Sequence, residues 1–379
     1  MTSVLGRAAR SVDGSHARDR MLDGLRGVAA IAVVHYHFLL LSGLNGEPGA
    51  GLIGVLVFFV LSGYLITRLL WRADGREGPT YRRFVERRVR RLAPALVGLV
   101  VVSGVLVTVA GPGDAGDAVA GSLVVLAQLT GFWHVLGSMP VEAWLPTWSL
   151  TVEWLFYLLW PLVVVAMRRR GLSTSAAMRV ALALAAGLYL ASMPLSPNAF
   201  YYLPVGNLAV MLVGAALALA HAREPARTTG RDAGIADLAF VGFVVAVLVP
   251  TTGLSGSWLY RVTYVPIAVV VALLLIDQRP GTGGVARRLL ESRPMVAVGQ
   301  ASYSLYLWHL PLLWAAFYGL PGLSVGARVL VATVALGPVV WLSFTLLEKP
   351  VLTPAPYAVH SRSGAPSARS VVASEAAEG

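Results

Sequence analysis

Apolar residues in this chain run in long blocks instead of alternating with polar ones. Blocks of about 17 to 22 residues, enough for a helix to cross a ~30 Å hydrocarbon core, fall near 22–42, 51–70, 92–111, 148–167, 178–194, 201–221, 235–251, 258–276, 297–318 and 326–347. They predict an all-α, polytopic transmembrane bundle of about ten spanning helices. A further block, 118–136, is apolar enough to be an eleventh span. The arginines arbitrate. With ten spans, and 118–136 interfacial or re-entrant, every Lys and Arg except Arg26, Arg68, Arg179, Arg261 and Arg328 falls in a terminal tail or in the alternate loops of one side. The opposite loops, 112–147 included, hold none. An eleventh span would carry Arg168, Arg169 and Arg170 to the other side. Since basic loops stay cytoplasmic, ten spans with both termini inside is the expectation.

Residues 1–20 read as a disordered basic cytoplasmic tail without the apolar core of a cleaved secretory signal. The span-bearing domain is expected over 21–350. The remainder, 351–379, is rich in Ser, Ala and Pro and reads as a second disordered cytoplasmic tail. No internal repeat is visible, which disfavours an inverted-repeat transporter.

Composition agrees with the pattern. The chain is 56% hydrophobic and 13% charged, about half the charged fraction of a soluble globule. A formal charge of +11 would fit a nucleic-acid partner in a soluble protein. Here it belongs to loops facing the cytoplasm and anionic membrane lipids, and no nucleic acid is expected. With no cysteine, disulfides, thiolate metal sites and a cysteine acyl-enzyme are excluded; no metal site is expected.

Polar groups at membrane depth cost free energy and mark function. In LDGLRGVAAIAVVHYHF, residues 22–38, Arg26 and His37 are 11 residues apart, about 1100° of helix, and share a face with a rise of about 16.5 Å. His35 points nearly the opposite way. His37 is either a neutral histidine donating to a backbone carbonyl or a general base. Glu153, in PTWSLTVEWLFYLLWPL, lies about as deep below its outer helix end as His37 does. A carboxylate at that depth would orient and strengthen the base, while a structural hydrogen bond is the alternative. In YRRFVERRVRRLAP, residues 81–94, Arg87, Arg88 and Arg91 either fix topology or form an anion site, with Arg87 and Arg91 stacked on one face. Ser62, in FFVLSGYLIT, is a helix-packing or cavity residue. Ser302, Tyr303, Tyr306 and His309, in ASYSLYLWHLPLL, imply a polar cavity.

Taken together and in this order, LDGLRGVAAIAVVHYHF, GVLVFFVLSGYLIT, RFVERRVRRLAP, WSLTVEWLFYLLWP and SYSLYLWHLPLL resemble the acyltransferase 3 family of bacterial integral-membrane acyltransferases, over about residues 20–350. The resemblance implies transfer of an acyl group, often acetyl, from acyl-CoA to a hydroxyl of a sugar-containing acceptor: surface polysaccharide, peptidoglycan, nodulation factor or macrolide. It implies Arg26 and His37 as the family's first-helix pair, Arg87, Arg88 and Arg91 as its donor-binding motif, and Glu153 as the acid of its WSLxxE motif. Leu56 and Trp154 stand where the family often has polar or acidic residues. The expectation is a plasma-membrane O-acyltransferase with no permanent cofactor and acyl-CoA as donor substrate. His37 would be its base, or a transient acyl carrier, with Glu153 orienting it. A transporter of a lipid-linked or glycosylated compound is the alternative.

Overall fold

The computed structural model describes residues 19–43, 49–72, 81–110, 114–223, 230–248, 261–262, 264, 267–272 and 284–352. Among these residues all regular structure is helical. The order is α1 (Arg20–Leu41), α2 (Gly49–Arg72), α3 (Tyr81–Ala110), α4 (Ala115–Leu126), α5 (Thr130–Leu136), a 3-10 turn (Glu142–Thr147), α6 (Trp148–Arg169), α7 (Thr174–Ser192), α8 (Pro197–Tyr202), α9 (Pro204–Arg223), α10 (Gly230–Leu248), α11 (Val285–Leu290), α12 (Arg293–Gln300), α13 (Ser302–Gly319), α14 (Val325–Ser343), a π turn (Phe344–Glu348) and α15 (Lys349–Leu352).

Seven helical segments among the described residues are long and apolar enough to cross a membrane, in place of the ten expected: Arg20–Leu41, Gly51–Trp71, Tyr81–Val109, Glu142–Arg169, Thr174–Ser192, Pro197–Arg223 and Val325–Val351. Two further expected spans, 235–251 and 258–276, lie partly outside the described residues. The block 297–318 breaks at Ala301 into α12 and α13. The tyrosines, tryptophans, His309 and Pro311 of α13 dilute its apolar character. The block 118–136 is also broken, because Gln128 turns the chain at φ 59° between the 12 residues of α4 and the 7 of α5. Neither piece reaches the ~20 residues a span needs. The basic segment before the third block is itself helical, so α3 starts at Tyr81, well before the expected 92.

Local chemistry sets these ends. Asp114 caps α4 by accepting from the Asp117 N–H (2.8 Å). After α6 the chain reverses through Gly171, whose φ of 65° favours glycine. Ser173 then caps α7 by accepting from Ala176 N–H.

The buried centre is α2, packed chiefly on α1 and α9, while α9 also packs on α7, α1 on α12, and α13 on α14. Close approach rests on glycine. A Cβ on Gly63 would overlap the Met211 carbonyl of α9, and one on Gly214 would overlap the Val60 carbonyl of α2. In lipid, helices associate by such close backbone packing, because hydrocarbon is as apolar as the side chains. The outer helices turn Leu182, Leu190, Leu330, Val334 and Trp341 outward, an exposure suited to acyl chains. At the basic end, Arg168 donates to the Leu70 carbonyl (2.9 Å) and Trp71 to Thr174 (3.2 Å), joining α2 to α6 and α7. The protein is an all-α integral-membrane bundle.

Candidate active site

Two cavities lie end to end along α1. The inner one, of about 60 Å³, is lined by Arg26 of α1, Phe58 and Phe59 of α2, Arg88, Arg91 and Leu92 of α3, Ser149, Glu153 and Tyr157 of α6, Gln300 of α12, and Ser302, Tyr303 and Tyr306 of α13. The sequence of α3 explains its arginines. Phe84, Leu92, Ala95 and Leu99 are buried at helical spacing, and that stripe turns Arg88 and Arg91 inward. The Arg88 guanidinium lies over the rings of Phe84 (5.4 Å) and Tyr157 (5.3 Å). Arg91 is within electrostatic reach of both Arg26 and Arg88. None of the three forms a salt bridge among the described residues. The buried Nε of Arg26 has no hydrogen-bond partner among them. Glu348 lies within electrostatic reach of Arg91 and Arg26 and Glu153 lines the same cavity, so three guanidiniums face two carboxylates, a balance that leaves positive charge for an anion with several oxygens.

Both oxygens of Glu153 are taken: Ser62 Oγ donates to Oε1 (2.8 Å) and Tyr157 OH to Oε2 (2.9 Å). Behind the cluster Glu348, nearly fully buried, accepts from the Ser304 N–H (3.1 Å) and from the Ser304 hydroxyl, which also bonds Ser343 (2.8 Å).

The outer cavity is larger, about 480 Å³, and aromatic. Its walls include Tyr36, His37, Trp148, Tyr201, Tyr202, Trp314 and Tyr318, with Glu142 and Asn198 as polar groups. His37 donates from Nδ1 to the Val33 carbonyl (2.8 Å) one turn earlier, and its ring stands 4.8 Å from that of His309. Tyr306 and Val55 line both cavities. The Tyr306 hydroxyl donates to the Pro146 carbonyl (2.5 Å) and bonds Ser149 (2.8 Å), which holds the ring where the two spaces meet.

Of the residues singled out in the sequence, Arg26, Arg88, Arg91, Glu153, Ser302, Tyr303 and Tyr306 line the inner cavity, and His37 and Tyr306 the outer. Ser62 sits one bond behind Glu153 and His309 beside His37, while His35 is exposed. Two of the expected residues are placed apart from the contacts expected of them. Arg87 is exposed and lines neither cavity, because the inward stripe of α3 runs through 84, 88, 91 and 92. Glu153 does not pair with His37: α2 and α6 engage its carboxylate on the inner side, and His309 takes the place beside His37. Among the polar residues in or behind the inner cavity, the sequence does not single out Ser149, Tyr157, Gln300 or Glu348. Tyr157 was findable one turn after Glu153, and Glu348 as an acid closing an apolar run; Gln300 carried no signal.

The fold and the paired cavities define a membrane-embedded helical protein with arginines around one cavity and a histidine pair at the other. Residues 19–348 match the acyltransferase domain of the acyltransferase 3 family, and the chain belongs to that family. Among its relatives is YrhL of Bacillus subtilis, named as a candidate peptidoglycan O-acetyltransferase, 29% identical over 88% of this chain and 54% of that protein. The O-acetyltransferase OatA of Staphylococcus aureus is 26% identical over 77% of this chain and 50% of its own length. The peptidoglycan O-acetyltransferase OatA of Listeria monocytogenes is 27% identical over 87% and 55%. The chain thus spans about half the length of the curated relatives it matches. No solved structure matches it.

Proposed function

We propose that this protein moves an acyl group, acetyl in the simplest case, from acyl-CoA to a hydroxyl of a carbohydrate. The observation that carries this reading is the meeting of the arginine-lined inner cavity and the His37-bearing outer cavity at Tyr306. Arg88, Arg91 and Arg26 hold the CoA phosphates, and the pantetheine arm runs along α1 for the roughly 16.5 Å between Arg26 and His37. With Nδ1 donating to Val33, the neutral His37 ring carries its lone pair on Nε2. Nε2 takes the proton of the acceptor hydroxyl as its oxygen bonds to the thioester carbon. The C–S bond then breaks and the leaving CoA sulfur receives that proton. The aromatic walls suit the apolar face of a sugar ring, with Glu142 and Asn198 available to its hydroxyls. Peptidoglycan, the substrate in its relatives' names, is the first acceptor to try.

The same reading puts about ten spans over 21–350 in the bacterial plasma membrane. The basic end and both tails, 1–20 and 351–379, face the cytoplasm, where acyl-CoA is made, and the outer cavity faces away. The test is protein in nanodiscs with radiolabelled acetyl-CoA and glycan fragments. Label passing to glycan supports the reading. Folded protein that neither binds acyl-CoA nor transfers the label contradicts it.

A further inference from the structure

His309 is fully buried and lies on α13 at the level of His37. Its Nδ1 is 2.6 Å from the Tyr306 carbonyl three residues earlier. A carbonyl only accepts, so Nδ1 carries the hydrogen, and in the neutral ring Nε2 holds the lone pair. That Nε2 stands 3.3 Å from His37 Nδ1. His37 Nδ1 in turn carries a hydrogen, because Val33 offers it a carbonyl at 2.8 Å. The single His37 N–H is therefore shared between the Val33 carbonyl and His309 Nε2, and His37 Nε2 is left as the basic nitrogen.

We infer that His309 is the positioning residue for His37, filling with an imidazole lone pair the place a carboxylate takes in a Ser-His-Asp arrangement. The inference rests on the acyl-transfer reading for its catalytic consequence, though its geometry does not. When His37 takes the acceptor's proton, its ring becomes cationic, and both bonds from Nδ1–H strengthen as charge-assisted contacts. The Val33 carbonyl fixes the tautomer from within α1. His309 fixes the ring plane from a second helix, so His37 keeps its orientation while substrate fills the cavity.

The two halves of His309 can be tested separately. Asparagine places an amide nitrogen near Nδ1 and has nothing at Nε2, whereas glutamine can place its oxygen near Nε2. His309→Asn should lower kcat roughly 10- to 100-fold, the loss typical of removing a partner that orients a working histidine, with KM for acetyl-CoA unchanged. His309→Gln should recover most of that loss. Wild-type kcat in both variants, or a loss in Gln at least as deep as in Asn, overturns the inference. Solid-state 15N spectra of histidine-labelled protein in bilayers, with His37 assigned by its absence in His37→Asn, read the tautomer without turnover. Nδ1–H on both rings is expected, and Nε2–H on His37 overturns the dyad. If wild type transfers nothing, the acyl-transfer reading fails while the spectra still decide the dyad.

Discussion

Ser62 of α2 donates a 2.8 Å hydrogen bond to Glu153 of α6, and that bond keeps the carboxylate in the inner cavity. The other carboxylate oxygen holds Tyr157, whose ring lies under the Arg88 guanidinium. Under the proposed function Glu153 is thus coupled to donor binding through Tyr157. Removing it leaves two buried hydroxyls without their acceptor and releases the platform of Arg88. Glu153→Ala should raise KM for acyl-CoA by about tenfold, ~1.4 kcal/mol, and change kcat by no more than about twofold. A fall in kcat at constant KM would instead favour a direct role beside His37.

The arginines of α3 should divide by face. Arg88→Ala and Arg91→Ala each remove a charged contact worth roughly 1.5–3 kcal/mol, and equilibrium binding of labelled acyl-CoA should weaken about tenfold or more. Arg87→Ala, at an exposed position, should leave binding within about twofold, as for an isolated surface charge. Equal losses at all three positions would mean that the basic motif acts only through its summed charge.

At the α2–α9 crossing a methyl group meets backbone, which yields less readily than a side chain. Gly63→Ala and Gly214→Ala should each destabilise the bundle by about 1–3 kcal/mol or more, read as loss of folded protein on thermal challenge in detergent. Gly187→Ala is the control. It lies inside α7 with nothing within 4 Å of an added Cβ, and should be neutral or stabilise by up to about 1 kcal/mol.

Tyr306→Phe keeps the ring against Phe58, 6.2 Å between centroids, but loses the bonds to Pro146 and Ser149. With the ring no longer anchored at the junction that the pantetheine arm crosses, the thioester is held less firmly beside His37, so acetyl transfer should fall severalfold. Wild-type transfer would mean that the Tyr306 hydroxyl does not position the junction.

Much of the arrangement was legible along the chain because one helix has a fixed period. Arg26 and His37 fall on one face of α1, and each lines a cavity while His35 is exposed. Hydropathy found the long helices, and the arginine asymmetry argued against a span at 118–136, where Gln128 breaks the helix. What period cannot supply is which helices are neighbours. Matching depth suggested Glu153 for His37, but α13 brings His309 there instead, and α2 holds Glu153 through Ser62. The break at Ala301 was hidden for a related reason: α12 and α13 form one apolar block in sequence and separate only where α12 packs on α1.

The most direct test of the account is to measure acetyl-CoA binding and acetyl transfer on the same nanodisc preparations of wild type, His37→Ala and Arg88→Ala. His37→Ala should bind acetyl-CoA as wild type does while transfer falls by about 100- to 10,000-fold, the contribution of a general base. Arg88→Ala should lose binding and recover transfer at high donor concentration. A His37→Ala variant that transfers acetyl at the wild-type rate would contradict the account.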